Sequence, residues 1–176
     1  NPASSIIVKG RIDAETLACI SADGKHVYLF NMNADGRALP SEPAFTLKIP
    51  HAHITSIASL NVNHTACLTI AISTGDILIG TLNQQRFICK SYFNFNKADD
   101  LLLLSSEKGA LIGYSKNQGM LYRAGIDNQV KYTAVFYPNM YNLKVSPNGE
   151  YLTALQFQGG KQTYKIHCFQ LPSLRH

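Results

Sequence analysis

Apolar runs of strand length, polar turns recurring every 40–45 residues and the lack of any long amphipathic helix predict an all-β chain. The fold class that follows is a β-propeller-like array of about four four-stranded antiparallel blades. It either closes on itself with the help of the N-terminal strand or forms a portion of a larger propeller. At 176 residues there is room for one domain that buries roughly 70% of its unfolded surface.

Four stretches share one grammar of strand, polar turn and strand. The first is Thr16–Ser21, a turn through Asp23-Gly24, then His26–Phe30; the second is Ile54–Ser59, a turn from Asn61 to His64, then Ala66–Ala71. The third is Leu101–Leu104, a turn Ser105–Gly109, then Ala110–Tyr114; the fourth is Tyr141–Val145, a turn Ser146–Gly149, then Tyr151–Leu155. With Gly24, His64, Gly109 and Gly149 as equivalent turn positions, the offsets are 40, 45 and 40 residues, the length of a four-stranded blade. Asp-Gly and Asn-Gly tolerate the positive φ that tight hairpins require. The remaining strands fall at Ile77–Ile79, Arg86–Lys90, Met120–Arg123, Lys131–Tyr137 and Tyr164–Phe169. The repeats run roughly 5–44, 45–91, 92–137 and 138–176 within a single domain. In this frame the last unit lacks its outer strand, and Ser5–Lys9 is an orphan that can complete it, removing an open edge. The first unit must take its third strand from Gly36–Leu39, close to Pro40 and Pro43.

The composition agrees: 45% apolar and 15% charged, with no Trp. No apolar run approaches the ~20 residues of a membrane-spanning helix. The opening Asn1-Pro2-Ala3-Ser4-Ser5 has no leader-like pattern and reads as an excised or processed start. Cys19, Cys67, Cys89 and Cys168 all sit in strand-like runs without a C-x-x-C pair, so they read as small buried apolar residues of a reducing, intracellular compartment, with a disulfide framework as the alternative. Net charge is +5, yet the 16 Lys and Arg are scattered and never adjacent. That distribution lacks the basic arm or block of a specific nucleic-acid binder.

At Leu47–Ile57, with His51-Ala52-His53 at its corner, the chain resembles the opening of a WD40 repeat. The continuation Ile72–Ile79 looks like that repeat's closing hairpin. Ile20–Lys25 and Val145–Leu152 are similar to the "S-P-D-G-K-x-L" turn of the same family. The resemblance departs where Trp is concerned: every WD dipeptide is missing, Gly80-Thr81 stands where one would fall, and the family's Asp–His–Ser–Trp network cannot form. What it implies is a divergent WD40-like propeller serving as a platform for protein contacts, without chemistry.

The residues themselves offer little chemistry. His51 and His53 would share a strand face and could chelate, but no Cys, Asp or Glu accompanies them at ligand spacing; a structural histidine at the corner is the other reading. Asp99 and Asp100 are adjacent and would point oppositely on a strand, as would His167 and Cys168. Gly159-Gly160-Lys161-Gln162-Thr163 lacks the spacing of a phosphate loop. No catalytic residue, metal or cofactor is assigned. Loops at equivalent rim positions carry the candidate contacts for a protein or peptide partner: His51 and His53, Phe95 and Lys97, and Tyr137, Asn139 and Tyr141. The expected function is a non-catalytic interaction scaffold, bound to another protein or to further subunits and open to self-association. A small-ligand or glycan site in a central channel, with or without catalysis, is the alternative.

Overall fold

The computed structural model describes residues 6–11, 16–32, 42–83, 86–95, 97–104, 110–125, 132–146, 148–160, 163–171 and 174. These form fifteen strands in four antiparallel sheets, with no helix among the described residues. Sheet 1 holds β1 (Ile6–Arg11), β2 (Thr16–Ser21), β3 (His26–Asn31) and β4 (Phe45–Lys48). Sheet 2 holds β5 (Ile54–Val62), β6 (Thr65–Ile72), β7 (Asp76–Asn83) and β8 (Arg86–Asn94). Sheet 3 holds β9 (Leu101–Leu104), β10 (Ala110–Ser115), β11 (Met120–Gly125) and β12 (Tyr132–Phe136). Sheet 4 holds β13 (Met140–Val145), β14 (Tyr151–Gln158) and β15 (Thr163–Gln170). Every sheet is a meander in which neighbours in sequence are neighbours in space.

The sheets stand side by side as in a propeller. Their first strands converge, β1 against β5, β5 against β9 and β9 against β13, which places β4, β8 and β12 at the periphery. Among the described residues, no strand of sheet 4 packs on sheet 1 as closely as β5 packs on β9. The alternation of each strand decides what fills the gaps. Ile54 and Ile57 of β5 and Leu68 and Ile70 of β6 meet Ala18, Ile20, Val27 and Leu29 of sheet 1. Leu101, Leu103, Leu111 and Tyr122 meet Leu60, Ile77, Ile79 and Phe93 of sheet 2. Ile112, Tyr114 and Leu121 meet Leu152, Ala154 and Phe169 of sheet 4. The opposite face of sheet 4 stays exposed, with Phe157 and Tyr164 in ring contact and Ile166 opposite Leu155.

A first strand pairs with only one neighbour in its own sheet, so half of its backbone groups need partners elsewhere. Sheet 2 supplies them to β9. Ser56 Oγ accepts the Leu103 N–H at 3.0 Å and Thr55 Oγ1 donates to the Leu101 carbonyl at 3.1 Å. Hydroxyl-bearing residues on β5 thus join two sheets that share no backbone ladder.

Several expectations need correction. β1 does not complete the last sheet: it pairs with β2, from Ile6 opposite Ser21 to Arg11 opposite Leu17, and opens sheet 1. The first unit was therefore read one strand out of phase. Thr16–Ser21 and His26–Asn31 are its second and third strands, and its fourth is Phe45–Lys48, paired with β3. Gly36–Leu39, expected to supply a strand, lies outside the described residues, as does the turn Ser105–Gly109. Finally, Cys19 and Cys67 are buried but Cys89 and Cys168 are exposed, because both fall on the outward side of a strand at or near a sheet edge; all four are thiols. The turn expected from Asn61 to His64 is shorter than predicted, since Asn61 and Val62 continue β5 opposite Ala66 and Thr65. Asn63 and His64 have φ of 49° and 62°, closing a two-residue hairpin between Val62 and Thr65.

Ser56 is buried, and truncating it leaves the Leu103 N–H without its acceptor. Ser56→Ala is expected to lower stability by about 1–3 kcal/mol in chemical denaturation, with secondary structure retained.

Candidate interaction face

The turns between second and third strands and the connectors between successive sheets lie at the same end of the array. Residues 22–25, 73–75, 116–119 and 159–160 belong to the turns; residues 49–53, 95, 97–100 and 137–139 belong to the connectors. Each connector is fastened to the turn of the sheet it leaves. The Ile54 N–H donates to the Gly24 carbonyl at 2.7 Å, and the Tyr137 N–H to the Gly119 carbonyl at 2.8 Å. In sheet 2 the approach is closer still. A Cβ on Gly75, at φ +87°, would lie 2.5 Å from Lys97 Cα, so only glycine fits there.

Asp and Ser side chains build the turns from within. Asp23 Oδ1 accepts from Ser21 Oγ at 2.5 Å and from the Lys25 N–H at 2.9 Å, and Ser21 Oγ accepts the His26 N–H at 2.9 Å. Asp100 does the same for the turn at 116–119 from the adjoining connector, accepting from Ser115 Oγ at 2.5 Å and the Asn117 N–H at 2.7 Å. Asp76 accepts from Thr74 Oγ1 at 2.6 Å and Asn94 Nδ2 at 2.7 Å. Hydrogen bonds from Ser21 and Lys25, with lesser help from His26, hold the Asp23 carboxyl down to about 2. Those from Thr74, Tyr92 and Asn94 lower that of Asp76. The same bond raises the Tyr92 hydroxyl.

All seven candidate contact residues fall on or beside this end, but they are not equivalent. His51 is exposed. His53 is exposed too, yet its Nδ1 lies 3.1 Å from the Asp23 carbonyl; that oxygen can only accept, so Nδ1 carries the proton and the ring clips the connector to the turn. Lys97 is exposed at φ 53°, its N–H bound to Asn94 Oδ1 at 2.7 Å. Phe95 contradicts the expectation. It is fully buried, stacked on Tyr122 with ring centroids 4.9 Å apart and edge-on to Tyr132, because the chain turns inward after β8 to reach Ala98, which is also buried. Tyr137 is half-buried against the edges of His167 and Phe169 and holds its loop more than it offers a contact. Asn139 is exposed in the left-handed region at φ 57°. Tyr141 is 41% exposed, with Lys116 Nζ 5.7 Å from its ring centre.

The residues that shape the 137–140 connector escaped the sequence reading. Buried Tyr114 donates its hydroxyl to the Tyr137 carbonyl and accepts the Met140 N–H, both at 3.1 Å. Burial raises its pKa, keeping it a donor. Gln156 Nε2 donates to the Pro138 carbonyl at 3.0 Å, while its Oε1 meets His167 Nε2 at 2.9 Å. Nothing marks these positions beforehand, since a Tyr in an apolar strand is ordinary core.

Among the described residues no three His, Cys, Asp or Glu side chains gather as metal ligands, and no helix is long and apolar enough to cross a membrane. No known protein family matches the sequence, and no curated protein is similar to it. The fold is similar to one chain in the crystal structure of an active polycomb repressive complex 2 in the basal state, with a TM-score of 0.68. The likeness covers 98% of this chain but 38% of that one, at 11% identity. It shows the fold alone. Solved structures sharing it number 573 chains, too many for the architecture to select a function.

Two variants test the construction of this face. Tyr114→Phe removes the bonds to the Tyr137 carbonyl and from the Met140 N–H and should cost about 1–3 kcal/mol, with amide exchange at Met140 accelerated beyond that of the neighbouring strands. Asp23 has its pKa depressed below the usual 3.8, so its contribution to stability is complete above that pH and fades as pH falls toward about 2. Melting curves of Asp23→Ala and the parent should therefore differ at neutral pH and converge near the acid limit.

Proposed function

We propose that the chain is a non-catalytic scaffold of the divergent WD40-like kind, presenting its connector face to a protein or peptide partner. The observation that carries this reading is the division of labour on that face. The backbone of each connector is fixed by Gly24, Gly75 and Gly119 and by the Asp and Tyr hydrogen bonds, while His51, Lys97, Asn139 and Tyr141 project from it. A face ordered before binding loses little conformational entropy on binding. Tyr141 combines apolar area with a polar tip and a cation beside its ring, the profile of an anchor. The similarity to a chain of a multisubunit complex supports a place among other subunits, and four thiols support a reducing, intracellular setting.

The test is affinity capture from lysate with mass spectrometry, comparing the parent with Tyr141→Ala, Lys97→Glu and Ile88→Thr. Ile88 is 44% exposed on β8, a peripheral strand, toward the end away from the connectors, and serves as the control. A specific partner should be enriched by the parent and by Ile88→Thr, and reduced at least tenfold by the two connector variants. A partner held equally by all four, or none, would refute the reading.

A further inference from the structure

At the end of the array opposite the connectors, sheets 3 and 4 diverge around a cavity of about 500 Å³. Ala110 begins β10 at its edge and Arg123 enters from β11. Glu150, Tyr151, Gln170 and Leu171 close the other side from sheet 4. Arg123 stands opposite Ile112 and Thr133 in its sheet, on the side that packs toward sheet 4. Its Nε is buried and has no hydrogen-bond partner, the one described side-chain nitrogen or oxygen of which this is true. No described carboxylate forms an ion pair with it. Glu150, the only acid among the described residues of the cavity wall, accepts from Asn148 Nδ2 at 2.9 Å.

A guanidinium remains charged in proteins; Arg123 as a whole is half-buried, but its buried Nε–H is a donor without the acceptor that burial normally demands. We propose that this cavity is a binding site for a carboxylate, received by the Nε–H and a terminal N–H of Arg123 as a two-point fork. One guanidinium balances one negative charge. With Glu150 in the wall as well, a phosphate dianion would meet about twice the repulsion that a carboxylate meets. The volume far exceeds a carboxylate and matches that of pockets holding a short peptide segment or small organic acid, with Ala110 and Leu171 offering apolar surface to its body. This site is separate from the connector face and stands or falls without it.

Titrations followed on the arginine Nε–H resonances, with Arg123 assigned by its loss in Arg123→Lys, give the test. The probes are a capped dipeptide amide with an aspartate side chain, a capped dipeptide with a free terminal carboxylate, benzoate, inorganic phosphate, and a neutral capped dipeptide amide. At least one carboxylate probe should shift the Arg123 signal saturably, and which one does so separates peptide side chain, chain terminus and free organic acid as the source. Affinity should fall at least tenfold in Arg123→Lys, which keeps the charge but loses the fork, provided the variant melts within a few degrees of the parent. Arg123→Gln, read by tyrosine fluorescence or calorimetry, covers the case in which lysine fails to fold. The proposal is overturned if no carboxylate saturates, if phosphate or the neutral amide binds as well, or if binding survives both folded substitutions.

Discussion

Everything in this molecule depends on the fact that a sheet of four strands has two open edges and two faces, and that one edge of each sheet is driven inward. β1, β5, β9 and β13 are edges by pairing but interior by position. Their spare backbone groups cannot be left dry, and the hydroxyls of Thr55 and Ser56 answer them where two sheets meet. Convergence of the inner strands fixes the angle between sheets. That angle brings each connector down onto a turn and opens a gap at the other end. The face and the cavity are two consequences of one packing constraint.

The repeat was legible in the sequence, but its phase was not. Ser21-Ala22-Asp23-Gly24 and Ser146-Pro147-Asn148-Gly149 look alike because they make the same local hydrogen bonds. Ser21 Oγ accepts the His26 N–H as Ser146 Oγ accepts the Tyr151 N–H, and the Asp23 and Asn148 carboxyl and amide oxygens accept from the two serines. Yet one turn joins a second strand to a third, and the other joins a first to a second. Such a motif closes any antiparallel pair, so it reports a hairpin without reporting which hairpin. A three-position comparison of Gly24, Gly75 and Gly119 finds the true phase, since all three have positive φ and each lies under a connector. Spacing alone could not separate that series from the one through His64 and Gly149.

The candidate site was legible to the level of the loop and no further. Tyr and Phe next to turns suggested contacts at Phe95, Tyr137 and Tyr141, and the chain treats the three differently. Phe95 completes an aromatic stack with Tyr122 and Tyr132, Tyr137 leans on His167 and Phe169, and Tyr141 stands out. Which one faces water depends on where the connector dips, and that is set by residues distant in sequence. Tyr114 and Gln156 lie 23 and 18 positions away from the carbonyls they hold. Long-range polar contacts of this kind leave no periodicity to read.

The two ends of the array also differ in how their polar groups are treated, and the difference has a physical meaning. At the connector end, Asp23, Asp76 and Asp100 each accept two or more hydrogen bonds, so the face is rigid and its charges are quiet. A surface built that way recognises a partner by shape and by the few side chains that project. At the opposite end the buried Nε of Arg123 keeps its proton unshared beside an open volume. Burial there lowers the pKa of the guanidinium, a group that stays charged in proteins. A satisfied network contributes order, whereas an unsatisfied buried donor contributes a standing demand for an acceptor. The fold concentrates order where the loops are and leaves that demand where two sheets part.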